Sequence, residues 1–252
     1  LMIRRPQRST PKPSSAASDV YKRQILLRQE FKESRVYRLI FRYISSGYKS
    51  IGKLCSACGL DKNNATKYLS TLEELGFVRH IVPLGMKRKG IYEIKDPLFR
   101  FWFRFVYPHR DLLELGNIGE VAGKIERDLN SYFGLAFEYV IEEILKTRSM
   151  HEFKNFTNVH KWWHKDKEID LVALNEKSKE VLFAECKWQS RVNAEKTVKE
   201  LAEKARYVEW NSGKRKEHYA VFARSFSKRI EEFEGRKVYC IGLKELEDAL
   251  RE

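Results

Sequence analysis

Val181-Leu182-Phe183-Ala184 is an unbroken apolar run with a glutamate on either side, Glu180 and Glu185. A strand with one wet face alternates apolar and polar residues, so a run like this is too apolar for a freely exposed strand. The segments around it supply a cover. The pattern predicts a helix from about 119 to 146 and strands at 153–160, 168–174 and 180–188. A helix at 192–210, a strand at 218–223, a helix at 227–234, a strand at 237–242 and a helix at 244–251 follow. Strands interleaved with helices in this way imply a mixed α/β (α+β) fold, a central mixed sheet with helices packed on it.

The first half carries a different period. Val36, Leu39, Ile40, Tyr43 and Ile44 recur at three- and four-residue spacing, the mark of one apolar stripe on a helix, and Ser45-Ser46-Gly47 ends it. Residues 51–57 read as a second short helix stopped near Gly59. Asp61 is placed to cap a third, with Ala65, Leu69, Leu72 and Leu75 on its inner face and Gly76 as its stop. Residues 77–82 and 90–94 then read as strands joined by the basic loop Gly85-Met86-Lys87-Arg88-Lys89. Three helices followed by a basic hairpin is the order of a winged helix-turn-helix. Lys62, Asn63, Asn64, Thr66 and Lys67 are then expected to read the DNA major groove from the start of the third helix, and Lys87, Arg88 and Lys89 to contact phosphate.

Composition agrees with a polyanionic partner. With 49 Lys and Arg against 35 Asp and Glu, the chain has a formal net charge of +14, and nucleic acid is the commonest partner of such an excess. The same charge also keeps a surface solvated, so charge alone does not decide. No stretch approaches the roughly 18–20 apolar residues of a membrane helix, which predicts a soluble protein. Cys55, Cys58, Cys186 and Cys240 do not resemble a disulfide framework and suit a reducing cytoplasm. Residues 1–24, rich in Pro, Ser, Arg and Lys, lack any period and read as a disordered or foreign tail. The aromatic stretch Phe99 to Phe105 has rings on both helical faces, which predicts a buried connector over 97–118 in place of a base-stacking platform. The domain expectation is therefore 25–96 for the winged helix and 119–252 for the α/β core.

Two tempting patterns fail. Gly47-Tyr48-Lys49-Ser50-Ile51-Gly52-Lys53-Leu54 spaces its glycines and lysine like a phosphate loop, but Leu54 stands where a hydroxyl must meet Mg²⁺, and no strand leads into it. Cys55-x-x-Cys58 is half a zinc site without a second pair.

Chemistry is better placed in the second half. Phosphodiester hydrolysis calls for a divalent ion held by hard oxygens with a cation nearby. Glu168-Ile169-Asp170-Leu171-Val172 sets Asp170 among apolar neighbours, and Glu185-Cys186-Lys187 ends the next strand. Side chains alternate along a strand, so Glu185 and Lys187 share a face and Cys186 points away. A hairpin brings Asp170 beside Glu185. The pair would chelate Mg²⁺ or Mn²⁺ with the Cys186 carbonyl, while Lys187 orients the attacking water or stabilises transition-state charge. Glu138, on the edge of an apolar helical stripe, is a fourth candidate. The competing reading is a surface ion pair between Glu185 and Lys187.

Asp170 followed by Glu185-x-Lys187, with a helical glutamate before them, resembles the PD-(D/E)xK nuclease superfamily. That resemblance implies a restriction-endonuclease-like core. Gly59-Leu60-Asp61-Lys62, Lys67-Tyr68-Leu69-Ser70-Thr71-Leu72-Glu73-Glu74-Leu75-Gly76 and Tyr92 through Pro108 extend the likeness. Together with the nuclease-like core, they are similar to the C-terminal region of archaeal-type ATPases, the DUF234 region. The resemblance implies a DNA-binding, metal-dependent nuclease module whose ATPase domain is absent here, in a chain that begins mid-protein. A second reading makes it a DNA-binding, regulatory part of an ATPase whose nuclease fold is structural or inactive.

Overall fold

The computed structural model describes residues 34–88 and 90–251; the expected tail at 1–24 and Lys89 lie outside the described residues. The chain forms two compact units, one from the described part of 1–79 with 92–110, the other from 80–91 with 111–252.

In the first unit, α1 (Ser34–Ser45), α2 (Ile51–Cys58) and α3 (Lys62–Glu74) follow one another. Tyr37, Ile40, Phe41 and Ile44 form the buried stripe of α1; of the predicted set Ile40 and Ile44 are buried, while Val36, Leu39 and Tyr43 are only partly so. Phe41 is fully buried and stacks on Phe103 at 4.9 Å. Leu54, Leu69, Leu72, Val78, Ile94 and Phe99 close this core. Asp61 caps α3 as predicted, accepting the Asn64 N–H at 3.0 Å, and Gly76 ends it at φ +72°. β1 (Val78–Ile81) and β2 (Ile91–Ile94) pair. A Cβ on Gly90 would meet the Ile81 carbonyl oxygen at 2.8 Å, so this close approach requires glycine.

The stretch expected to form one buried connector is broken into α4 (Pro97–Phe101), a π-turn over Trp102–Val106, a 3₁₀ turn over Tyr107–His109 and α5 (Arg110–Glu114). Pro108 lacks the N–H that a continuous helix would use. Phe99 and Phe103 pack into the first unit's own core.

The second unit is a mixed α+β layer structure around a six-stranded sheet. Its helices are α6 (Ile118–Thr147), α7 (Ala194–Ala205) and α8 (Leu243–Arg251). Its longer strands are β3 (Asn158–His164), β4 (Lys167–Asn175), β5 (Glu180–Lys187), β7 (Lys216–Ala223) and β10 (Arg236–Ile241). β6 (Val192–Asn193), β8 (Phe226–Lys228) and β9 (Glu232–Phe233) are short. The order is β3-β4-β5-β7-β10-β9, with β5 parallel to β7 and β7 to β10, the other pairs antiparallel. Parallel neighbours need a crossover, which α7 provides between β5 and β7.

Val181, Leu182, Phe183 and Ala184 are all fully buried because helices cover both faces. Phe137, Ile141, Ile144 and Leu145 of α6 pack on Leu182, Ala184 and Phe222. Val198, Leu201 and Ala205 of α7 pack on Val181, Phe183 and Val221. Leu84 also packs against this second cluster, and its N–H donates to the Lys161 carbonyl at 3.0 Å.

Three predicted elements are corrected. No helix forms at 227–234; Phe226–Lys228 pairs with β6, and Glu232–Phe233 turns through Glu234 and Gly235 into β10. Ile230 and Phe233 fit a helical step, but the turn and the partner strands decide otherwise. The helix expected at 192–210 is shorter, running from Ala194 to Ala205: Asn193 caps its start by accepting the Lys196 N–H at 3.2 Å, and it ends five residues before the expected stop. The strand expected at 153–160 starts later, at Asn158, after a 3₁₀ turn over His151–Phe153.

Candidate active site

The ladder between β4 and β5 is antiparallel and pairs Leu171 with Ala184. Asp170 and Glu185 are the next residues beyond that last pair. Glu185 and Lys187 belong to the alternation of β5 that faces α7, while Cys186 belongs to the other; Asp170 lies between Ile169 and Val172, where the register of β4 against β3 shifts. Asp170 Oδ2 accepts the Cys186 N–H at 2.7 Å, which fixes the carboxylate against the end of β5.

Glu185 is only 6% exposed. Its Oε1 accepts from Lys187 Nζ at 2.7 Å. The Glu185–Lys187 ion pair therefore forms, but with the carboxylate buried, so it is not a freely exposed surface pair. Lys204 of α7 reaches the same carboxylate, with Nζ 3.2 Å from Oε1 and 3.0 Å from Oε2. Sequence reasoning missed this lysine. Its only sequence signal is its place next to the apolar stripe of α7.

Glu138 on α6 accepts from Lys161 Nζ of β3 at 3.3 Å, and Lys161 is itself 6% exposed. Glu142, the alternative on that helix, pairs instead with Lys146 at 2.6 Å. Glu138 stands near enough to act on Asp170. Burial first, then the charges of Glu185 and Glu138, push the Asp170 carboxyl up to about 7 against the pull of the Cys186 N–H and Lys187. For Lys187, burial works against the ammonium, but the bond to Glu185 and the nearby carboxylate charges outweigh it and its pKa is raised. Burial and the same acids drive the Cys186 thiol far up, so it is a poor nucleophile.

Crowded, partly desolvated carboxylates are what a divalent ion relieves, so Asp170 and Glu185 fit one chemically. Among the described residues no three His, Cys, Asp or Glu side chains gather closely enough to enclose an ion.

The predicted DNA-reading residues Lys62, Asn63, Asn64, Thr66 and Lys67 are all exposed on α3, opposite the buried Ala65 and Leu69. Two are engaged locally: Asn64 Nδ2 bonds Asp61, and Thr66 Oγ1 donates to the Lys62 carbonyl at 2.8 Å. Lys87 and Arg88 are exposed. Glu93, unnoticed in the sequence, is 2% exposed and joins Lys49 and Arg79, each at 3.0 Å.

Residues 102–200 match the DUF234 family, described as "Archaea bacterial proteins of unknown function". A protein of Methanocaldococcus jannaschii, "Uncharacterized protein MJECL04", is 32% identical over 195 residues, 75% of this chain. The chain spans 44% of that relative's length. Among solved structures, "Crystal structure of NadR in complex with 4-hydroxyphenylacetate" is similar at 14% identity, covering 56% of this chain and 97% of that one. Its TM-score of 0.24 carries no argument about fold. No described helix is long and apolar enough to cross a membrane.

Proposed function

We propose that this DUF234-matching chain binds DNA through a winged helix-turn-helix and hydrolyses phosphodiester bonds at a restriction-endonuclease-like site in its second unit. The observation that carries the reading is that Asp170 and Glu185 lie just beyond the Leu171–Ala184 pair at the end of a covered sheet, with Asp170 on the Cys186 N–H and Lys187 on Glu185. Asp170, Glu185 and the Cys186 carbonyl would hold Mg²⁺ or Mn²⁺, which supplies Lewis acidity at the phosphate and a more acidic water. Lys187 holds an ammonium where it can orient that water or balance transition-state charge. Glu138 acts on Asp170 through charge, and Lys161 restrains Glu138. DNA is the substrate class that the net charge of +14 favours. An ATPase domain is the proposed partner, from the resemblance to archaeal-type ATPases, and the cytoplasm is the proposed compartment.

Incubation with plasmid and single-stranded DNA in Mg²⁺ or Mn²⁺ tests the reading, with Asp170→Ala as control. Cleavage by the wild type that the variant loses supports it; cleavage equal in both, or none in either, refutes it. A second reading, a DNA-binding regulatory module with an inactive nuclease fold, is favoured by Lys204, which already spans both Glu185 oxygens. Metal binding without cleavage decides for that second reading.

A further inference from the structure

The ladder between β5 and β7 ends on the Lys187–Ala223 pair, and Trp188 and Arg224 are the next residues beyond it. The two segments that follow are tied together. The Arg224 N–H donates to the Gln189 carbonyl at 3.0 Å, the Val192 N–H to the Ser225 carbonyl at 2.9 Å and the Arg191 N–H to Ser225 Oγ at 2.9 Å. Held this way, the Arg224 guanidinium lies over the Trp188 ring, 5.1 Å from its centroid. The same ring meets two rings of α6, Phe137 at 5.4 Å and Phe133 at 5.8 Å. Phe137 is buried, whereas Phe133 is 41% exposed.

Two members of this cluster still face water. Arg224 is exposed, and among the described residues its guanidinium meets no carboxylate. An arginine resting on an indole keeps the N–H groups of its edge for another acceptor. Phe133 presents an aromatic ring from the other side of Trp188. A fixed cation beside an exposed ring matches a nucleotide, whose phosphate takes the cation and whose base stacks on the ring. The cluster also adjoins the candidate site along the chain, since Trp188 follows Lys187 and Phe137 precedes Glu138. Inside a duplex the faces of a base are covered by its neighbours in the stack, so only an unpaired base can offer one to Phe133.

We propose that Phe133, Trp188 and Arg224 form a subsite for one unpaired nucleotide of DNA next to the scissile phosphate. Phe133 stacks on the base, Arg224 bonds the phosphate, and Trp188 is the wall that holds both in place. The inference rests on the DNA reading of the second unit and narrows its substrate to strands that are single, or unpaired beside the cut.

Fluorescence anisotropy on the full chain without metal tests the subsite, with a short single strand, a duplex of the same sequence, and a single strand whose bases are replaced by abasic sites. Phe133→Ala should weaken binding to the single strand about tenfold and leave the duplex unchanged, and Phe133→Tyr, which keeps a ring, should remain near wild type. On the abasic strand Phe133→Ala and wild type should bind alike. Arg224→Gln should lower the salt slope on both single strands by about 0.7, the share of one phosphate. A Phe133→Ala variant with wild-type circular dichroism that binds the single strand as well as wild type overturns the subsite alone. So does a loss that is equal on single strand and duplex, or one that persists on the abasic strand. An unchanged salt slope in Arg224→Gln does the same. Failure of the wild type to bind either form of DNA overturns the DNA reading and the subsite with it.

Discussion

Replacing Asp170 by asparagine removes a charge and keeps an oxygen that can accept the Cys186 N–H. In the folded chain the Asp170 carboxyl is raised from 3.8 to about 7. At ~1.36 kcal/mol per pKa unit, a rise of roughly three units sets a ceiling of roughly 4 kcal/mol on the penalty for ionising it. The side chain is partly open to water, and screening brings the expected gain to about 2 kcal/mol. Between the two pKa values the folded chain holds a proton that the unfolded chain has released. Wild-type stability therefore falls as pH rises through that interval, and the loss is complete above about pH 7. Asparagine has no such proton. Asp170→Asn and wild type should be equally stable below about pH 4, diverge between the two pKa values, and differ by about 2 kcal/mol near pH 8 in favour of the variant. Urea unfolding across that range measures the difference, and adding Mg²⁺ should narrow it by stabilising the wild type alone. A variant that is less stable near pH 8, or a difference that does not change with pH, would refute the idea that burial and the neighbouring carboxylates hold Asp170 protonated.

Two further perturbations address the rest of the molecule. Lys87→Ala, Arg88→Ala and Lys89→Ala together should weaken binding to all DNA sequences alike and lower the salt slope by about 3, whereas Lys62→Ala with Asn63→Ala should change sequence preference as well; anisotropy titrations on specific and scrambled duplexes distinguish the two. Glu93→Gln should destabilise the first unit by about 3 kcal/mol, because the Lys49 and Arg79 charges lose the buried carboxylate between them, and urea unfolding followed by circular dichroism reads the loss.

Local rules made much of this architecture legible. The apolar run Val181 to Ala184 announced a strand covered on both faces, and Asp61 announced the start of α3, because each signal lies within a few neighbouring residues. Alternation alone placed Glu185 and Lys187 together. What stayed hidden depends on distant pairing. Lys204 reaches Glu185 across 19 positions, Lys161 reaches Glu138 across 23, and Lys49 reaches Glu93 across 44. In a chain that is 33% charged, a lysine on a helix reads as an ordinary solvated one until its partner strand is in view. The misread segment at 227–234 failed for a similar reason: Ile230 and Phe233 satisfy a helical step, and only pairing with β6 and β10 makes those residues strand and turn.

The hairpin of β4 and β5 separates two things that a linear pattern confounds. The carboxylates meet through the pairing of Leu171 with Ala184, whereas the number of residues between them is set at the far end, where Asn175 Oδ1 accepts the Lys177 and Ser178 N–H groups at 3.1 and 3.2 Å. Residues added to that tip lengthen the interval in the chain without moving either oxygen. A slip of one position along the ladder does the reverse: it leaves the interval intact and turns one carboxylate through the sheet, away from the other. The interval from aspartate to glutamate is therefore a poor ruler for recognising sites of this shape, and the phase of the apolar residues between them is a good one.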